Sequence, residues 1–258
     1  MSKRDMYFGV GGLFIGYALN KNLFTSNNSL HMSNANTKKD MVSDNAKVML
    51  FFHNFIATNM DANGRCYFLD EILKWDEINE NGPWERTHNF IQWIFPTHQQ
   101  SAYERNAPLL SQTNIENLIN NPLFLDRYAE CLIKFMNFMH ITLTLNNNNV
   151  NMKVTSNFYN KTTHNFLRLS RLITSLKCLG FHDISNILYN ALIVNIESKK
   201  DSIQQSARFW RHFASADDIW SVSNKLNHVS SFLTPIRPLI IHSSKSVLHE
   251  TLCSKLVN

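Results

Sequence analysis

The sequence predicts an all-α fold: a single multi-helix globular domain with an apolar N-terminal segment. Two compositional facts and one pattern carry this. Of 7 glycines in 258 residues, Gly9, Gly11, Gly12 and Gly16 fall near the start, leaving only Gly64, Gly82 and Gly180 for the body. Together with 6 prolines, that supply of turn formers suits helices joined by short loops, not many short strands. Apolar residues make up 44% and aromatics 12%, enough to bury a real core. The pattern is the recurrence of apolar residues at three- and four-residue steps through most of the chain.

The chain divides into an apolar segment (1–24), a polar linker (25–45), a helical domain (46–214) and a C-terminal helical extension (215–258). Met6 to Leu19 is uncharged and apolar, preceded by Lys3 and Arg4 and followed by Asn20, Lys21 and Asn22. As a helix that run spans about 21 Å, short of a hydrocarbon core of about 30 Å. Three readings stay open for it: a membrane anchor or uncleaved signal, a segment lying in a membrane plane or docked on the domain, and a cleaved signal. Residues 25–45 are rich in Asn and Ser and too poor in apolar side chains to fold alone.

From Ala46 the elements follow in order. Val48 to Phe52 opens an inward-packing helix. Asp61-Ala62-Asn63-Gly64 forms a turn with glycine where positive φ is wanted. Phe68 to Trp75 reads as a helix, broken at Asn81-Gly82-Pro83. A helix over residues 85–95 then stops ahead of Pro96, with His88, Asn89 and Gln92 on one polar face and Phe90, Trp93 and Ile94 on another. Residues 97–110 are loop, and Ser111 or Thr113 caps the next helix. Leu123 to Leu145 reads as one long buried helix, ended by the Asn-rich loop 146–149. Helices over Thr162–Leu179 (with Gly180 as its terminator), Ile184–Ile196 and Ser202–Ala214 complete the domain. A weaker helix, a Pro235/Pro238 break and a final amphipathic stretch make up the tail.

Chemistry-bearing patterns are few. There is no HExxH, GxSxG, Walker loop or GxGxxG, and Cys66, Cys131, Cys178 and Cys253 form no CxxC pair. No metal site and no cofactor is expected. Cys131 and Cys178 read as buried free thiols, although a Cys–His pair needs only spatial proximity. A net charge of +5, with no basic run, reads as a solvated surface; it permits contact with nucleic acid or anionic lipid but does not indicate it, and nucleic acid is not the expected partner. Trp75, Trp93 and Trp210 are expected in the core, with Trp84 partly exposed.

One constellation stands out. His164, Arg168, Arg171 and Ser175 line a polar stripe beside the apolar stripe of their helix. Two arginines a turn apart can grip a carboxylate or phosphate. The plainer reading, an internal network joining this helix to His88, Gln92 or Glu85 with carboxylate partners for the arginines, is the better of the two. The candidate binding residues are therefore His88, Gln92, Trp93, His164, Arg168 and Arg171, with no catalytic residue assigned.

Several ordered motifs also carry a resemblance. Asn63-Gly64, Ile72-Leu73 before Trp75-Asp76, and Glu85 followed by His88-Asn89-Phe90-Ile91-Gln92-Trp93-Ile94-Phe95-Pro96 form the first part. Ser101, Asn106-Ala107-Pro108-Leu109 and the stretch Phe135 to Leu143 continue it. His164-Asn165, Leu167-Arg168, Ser170-Arg171-Leu172, Ser175-Leu176 through Gly180, then Ser206 and Trp210, close it. From about Asn54 to Ala214 these residues resemble the conserved domain of the opioid growth factor receptor family. Met139-His140 stands where the family usually has glycine, and Ser170 where threonine is common.

The resemblance implies a helical domain, opioid peptide receptor activity, and association with nuclear or other intracellular membranes. A non-enzymatic, receptor-like binding protein follows, with a peptide or protein ligand as partner and a membrane contact through residues 6–19. An enzyme acting on a small anionic substrate at the His/Arg stripe, and a nucleic-acid-binding module, are the alternatives.

Overall fold

The computed structural model describes residues 43–215, apart from 147, 148, 195, 197, 198 and 200. The apolar run at 6–19, the linker reading up to residue 42 and the tail from 216 lie outside the described residues. Helix α1 (Asp44–Phe52) starts where the Ser43 hydroxyl accepts from Ala46 N at 3.3 Å. It buries Val48, Phe51 and Phe52. Asp61 accepts from Asn63 N and Arg65 N, and Gly64 closes that turn at φ 74°.

The helix expected over Phe68–Trp75 is only the short α2 (Leu69–Ile72), and that expected over 85–95 is two short pieces, α3 (Pro83–Arg86) and α4 (Ile91–Ile94). Thr87, extended at φ −90°, ψ 136°, breaks them apart. The cause is tertiary: the carbonyls freed at Trp84, Thr87 and Phe95 take donors from another helix. Trp84 is fully buried, not partly exposed. Its ring packs at 5.2 Å from Phe90, 5.8 Å from Trp75 and 6.0 Å from Phe138. Trp93 and Trp210 are buried as expected, and Trp75 packs partly buried against the core.

After α5 (Gln112–Ile119) comes α6 (Pro122–Phe138), where Asn121 caps Phe124 N at 2.9 Å and Pro122 fills the first turn. The long helix expected to Leu145 stops here. His140 takes φ 55°, the left-handed position after the helix cap Met139. The chain then turns into an antiparallel hairpin, β1 (Ile141–Asn146) with β2 (Asn149–Val154), in the register Ile141 opposite Val154. Ile-Thr-Leu-Thr-Leu alternates with a period of two and suits a strand with one buried face. Among the described residues the fold is thus mostly helical, as expected, with one two-stranded sheet that the all-α reading did not include.

A 3-10 turn (Ser156–Asn160) leads to α7 (Thr163–Cys178), the central helix. It ends as anticipated: Gly180 sits at φ 81°, and Phe181 N bonds Leu176 O at 2.8 Å. Helices α8 (His182–Ile193) and α9 (Asp201–Ser215) pack on α7 and on each other. The Trp210 indole N–H donates to Phe166 O at 2.9 Å and fixes α9 against α7. Among the described residues, no helix is long and apolar enough to cross a membrane.

Candidate functional site

Helix α7 and the Trp84–Phe95 segment lie side by side, and two arginines join them. Arg168, 6% exposed, donates through Nη1 to Trp84 O (2.6 Å) and Asn165 Oδ1 (2.9 Å). Through Nη2 it donates to Thr87 O (2.6 Å) and lies 3.1 Å from His88 Nδ1. Its guanidinium carbon stands 5.4 Å from the Phe90 ring centre. Arg171 Nε donates to Phe95 O at 2.9 Å, and its Nη2 reaches Gln92 O at 3.4 Å. The expected partners were carboxylates; the observed ones are mainly main-chain carbonyls. A guanidinium's fork of donors suits this role, because it satisfies several buried acceptors from one side chain.

At the solvent edge the network ends in two imidazoles and a carboxylate. The His88 and His164 rings are 5.2 Å apart, edge to face. His164 Nε2 is 3.3 Å from Glu85 Oε1, with side-chain exposures of 37% and 19%. Glu85 also accepts from Thr162 Oγ1 (2.9 Å) and Asn165 Nδ2 (2.6 Å). Burial pushes its carboxyl up, but these two bonds, with the nearby Arg168 charge, outweigh it and hold the carboxyl below the usual range. Burial, then the Arg168 charge, lowers the pKa of His88, and the same causes push His164 down to about 4. Burial lowers Arg168 itself to about 10, so it stays cationic at neutral pH. Since Arg168 donates to His88 Nδ1, neutral His88 carries its proton on Nε2.

The face expected to unite His88, Asn89 and Gln92 is not formed. His88 turns to Arg168 and His164, Asn89 donates to Asn59 O, and Gln92 Nε2 donates to Ser101 Oγ at 3.2 Å. With Thr87 extended, His88 meets one set of partners and Asn89 and Gln92 another. Trp93 packs on Phe51, with ring centres 5.2 Å apart. Ser175 faces α6, where its Oγ accepts from the Tyr128 hydroxyl at 3.0 Å. Thr162 and Asn165 were not among the candidates, yet both hold Glu85. Their signal was faint: a polar pair flanking His164 at the start of a helix.

The structure also brings His98 Nδ1 to 3.3 Å from Cys178 Sγ. Cys178 is buried, and burial raises its thiol to about 11, so it is not an activated nucleophile. Among the described residues, no group of three or more His, Cys, Asp or Glu side chains could hold a metal ion.

This geometry defines a class: a helical domain whose central helix clasps a Trp- and Phe-rich segment through two arginines, one buried and one half-buried, and presents a histidine pair at the seam. The profile of the opioid growth factor receptor conserved region matches residues 42–218. The chain belongs to that family. It is 29% identical over 150 residues to opioid growth factor receptor-like protein 1 of Mus musculus, covering 54% of this chain and 31% of that protein. To the Xenopus tropicalis protein of the same name it is 30% identical over 120 residues, covering 45% and 23%. The chain therefore spans less than a third of the length of these relatives. No solved structure matches it.

Proposed function

We propose that this protein is a non-enzymatic, receptor-like binding protein that takes a short peptide at the seam marked by His88 and His164. One observation carries the reading. The His88 Nε2–H is a donor left over from a network that uses Nδ1 internally, and a cationic arginine polarises it from behind. A peptide carboxylate or carbonyl is a fitting acceptor for it. In this reading Arg168 acts on the ligand through His88, because its own donors are engaged inside the protein. Arg171, Gln92 and Trp93 support the segment that carries His88. The names of the relatives, opioid growth factor receptor-like proteins, point to an opioid-type peptide, and a short Tyr-terminated peptide is the first ligand to try.

Isothermal titration of the full chain with such a peptide, and with its C-terminal amide, tests the proposal. Saturable heat, weakened about tenfold by His88→Ala, a loss near 1.4 kcal/mol, is the expected result. Flat heats at high micromolar protein reject it. Membrane association through residues 6–19 belongs to the same proposal, and full release of the expressed protein by carbonate extraction rejects that part.

A second reading has one observation in its favour: His88 and His164 stand together beside Glu85, as an acid–base pair would. An enzyme acting on a small anion would also need a grip on the anion. The buried Arg168 spends its donors on Trp84 O, Thr87 O, Asn165 and His88. Binding therefore remains the better reading. Nucleic-acid binding rests only on the net charge of +5, and absent or salt-insensitive DNA retention disposes of it.

A further inference from the structure

The loop between α2 and α3 is acidic and lies against the molecule without burying an apolar side chain. Residues 76–81 read Asp-Glu-Ile-Asn-Glu-Asn. Ile78 is 75% exposed, Glu77 is half-buried, and Asp76, Asn79, Glu80 and Asn81 are exposed. The loop holds its own shape. Asp76 Oδ1 accepts from Ile78 N at 2.9 Å, Asn79 Oδ1 from Asn81 N at 3.0 Å, and Asn79 O from Gly82 N at 2.8 Å. A Cβ at Gly82 would stand 2.9 Å from Asn79 O, so the turn closes best on glycine.

Ionic contacts tie this turn to the body. Glu77 Oε2 accepts from Lys134 Nζ, on α6, at 3.2 Å. Glu80 is shared between two cations. Its Oε1 lies 2.6 Å from Nε2 of His140, between α6 and the hairpin, and its Oε2 2.9 Å from Nζ of Lys161, just ahead of α7. The Lys161 side chain is only 2% exposed, and its ammonium stands 4.0 Å from the centre of the buried Phe138 ring. The Glu80 side chain is 56% exposed, so water competes for it. Burial pushes the Glu80 carboxyl up, but the bonds from Lys161 and His140 outweigh it and hold the carboxyl below the usual range. Glu80 is therefore ionised throughout the range in which an imidazole changes charge, about pH 5 to 8. The charged groups at the contact are Asp76, Glu77 and Glu80 on the loop, with Lys134, His140 and Lys161 beneath it. Among them His140 is the one whose residue type titrates in that range.

We propose that residues 76–81 form a proton-operated strap, seated over Lys161 and Phe138 while His140 is protonated and released more often once His140 is neutral. Seated at low pH, the Glu80 carboxylate answers two cations. At high pH Lys161 is the cation left to hold it. An exposed pair of this kind is weak, so losing it raises the open fraction about two- to fivefold and does not unseat the loop outright. Each opening uncovers an ammonium beside an aromatic ring that the closed strap hides. The strap works whether or not a peptide binds at the histidine seam.

Timed acetylation of the full chain with acetic anhydride at pH 5.5 and pH 8, scored by mass spectrometry, tests this. Labelling of Lys161 is expressed as a ratio to that of the exposed Lys74, which cancels the pH dependence of amine reactivity. The ratio should rise about two- to fivefold from pH 5.5 to pH 8. His140→Asn, neutral at both pH values and tolerant of φ 55°, should show the raised ratio at both. Glu80→Gln, at an exposed position, should raise it at both as well. Lys177, buried where it donates to Ala214 O, reports opening of the whole domain and should not follow pH. A ratio independent of pH in the parent, the parental pH dependence retained in His140→Asn, no rise in Glu80→Gln, or Lys177 rising in step with Lys161 would each overturn the strap.

Discussion

Replacing Arg168 by alanine withdraws one guanidinium from Trp84 O, Thr87 O, Asn165 and His88 together. Trp84 and Thr87 are buried, so water does not readily replace the lost donors. Each orphaned buried acceptor costs about 1–3 kcal/mol, and truncating one member of a buried charged network costs about 3–5 kcal/mol in all. For a domain of this size, 1 kcal/mol moves Tm by about 2–4 °C, so the melt should fall by about 6–20 °C. Arg168→Lys keeps the charge but presents a point donor in place of a fork, and should lose about half as much. Urea unfolding followed by tryptophan fluorescence measures both, since Trp84 and Trp93 lie at the seam. A midpoint for Arg168→Ala within about 0.5 kcal/mol of the parent would refute the view that this side chain fastens the segment to α7.

The remaining predictions concern protons, backbone strain and thiols. Because the folded state holds His88 and His164 below their ordinary imidazole pKa, the unfolded chain binds the extra protons on acidification. Stability is present in full above about pH 6.5 and falls as pH drops toward 4, with His164→Gln losing less over that range than the parent; equal slopes in urea titrations at several pH values would refute this. At His140, φ 55° penalises any residue with a Cβ, so His140→Gly should be more stable than His140→Ala by about 1 kcal/mol, and equal midpoints would count against it. Cys66 is exposed while Cys131 and Cys178 are buried with raised pKa. Brief iodoacetamide treatment of the native protein should therefore modify Cys66 among these three, and mass spectrometry showing rapid labelling at Cys131 or Cys178 would contradict the packing.

The helical body was legible where the signal is local. Gly180 marked the end of α7, Gly64 its turn, and the spacing of Leu169, Leu172, Ile173 and Leu176 marked the buried stripe. What failed needed tertiary knowledge. The 85–95 run has helical spacing, yet Thr87 is extended because Arg168 from α7 takes its carbonyl. The hairpin was missed for a different reason. Apolar steps from α6 run on into Ile141, Leu143 and Leu145, where a period of two also fits, and the usual glycine is a histidine. Of the candidate site, the meeting of the α7 polar stripe with the 85–95 segment was readable from two polar stripes that had to meet something, but not which residue pairs with which. The divergence of Asn89 and Gln92 from His88 was not, because it follows from main-chain angles that the side-chain pattern does not encode.

The central claim is that the segment carrying His88 and the N-terminal turn of α7 are fastened face to face. The most direct measurement is a nuclear Overhauser contact between the ring protons of His88 and His164 in protein with labelled histidine. Ring centres 5.2 Å apart predict a clear cross-peak that His164→Gln abolishes. A folded protein with both resonances assigned and no cross-peak between them would contradict the account.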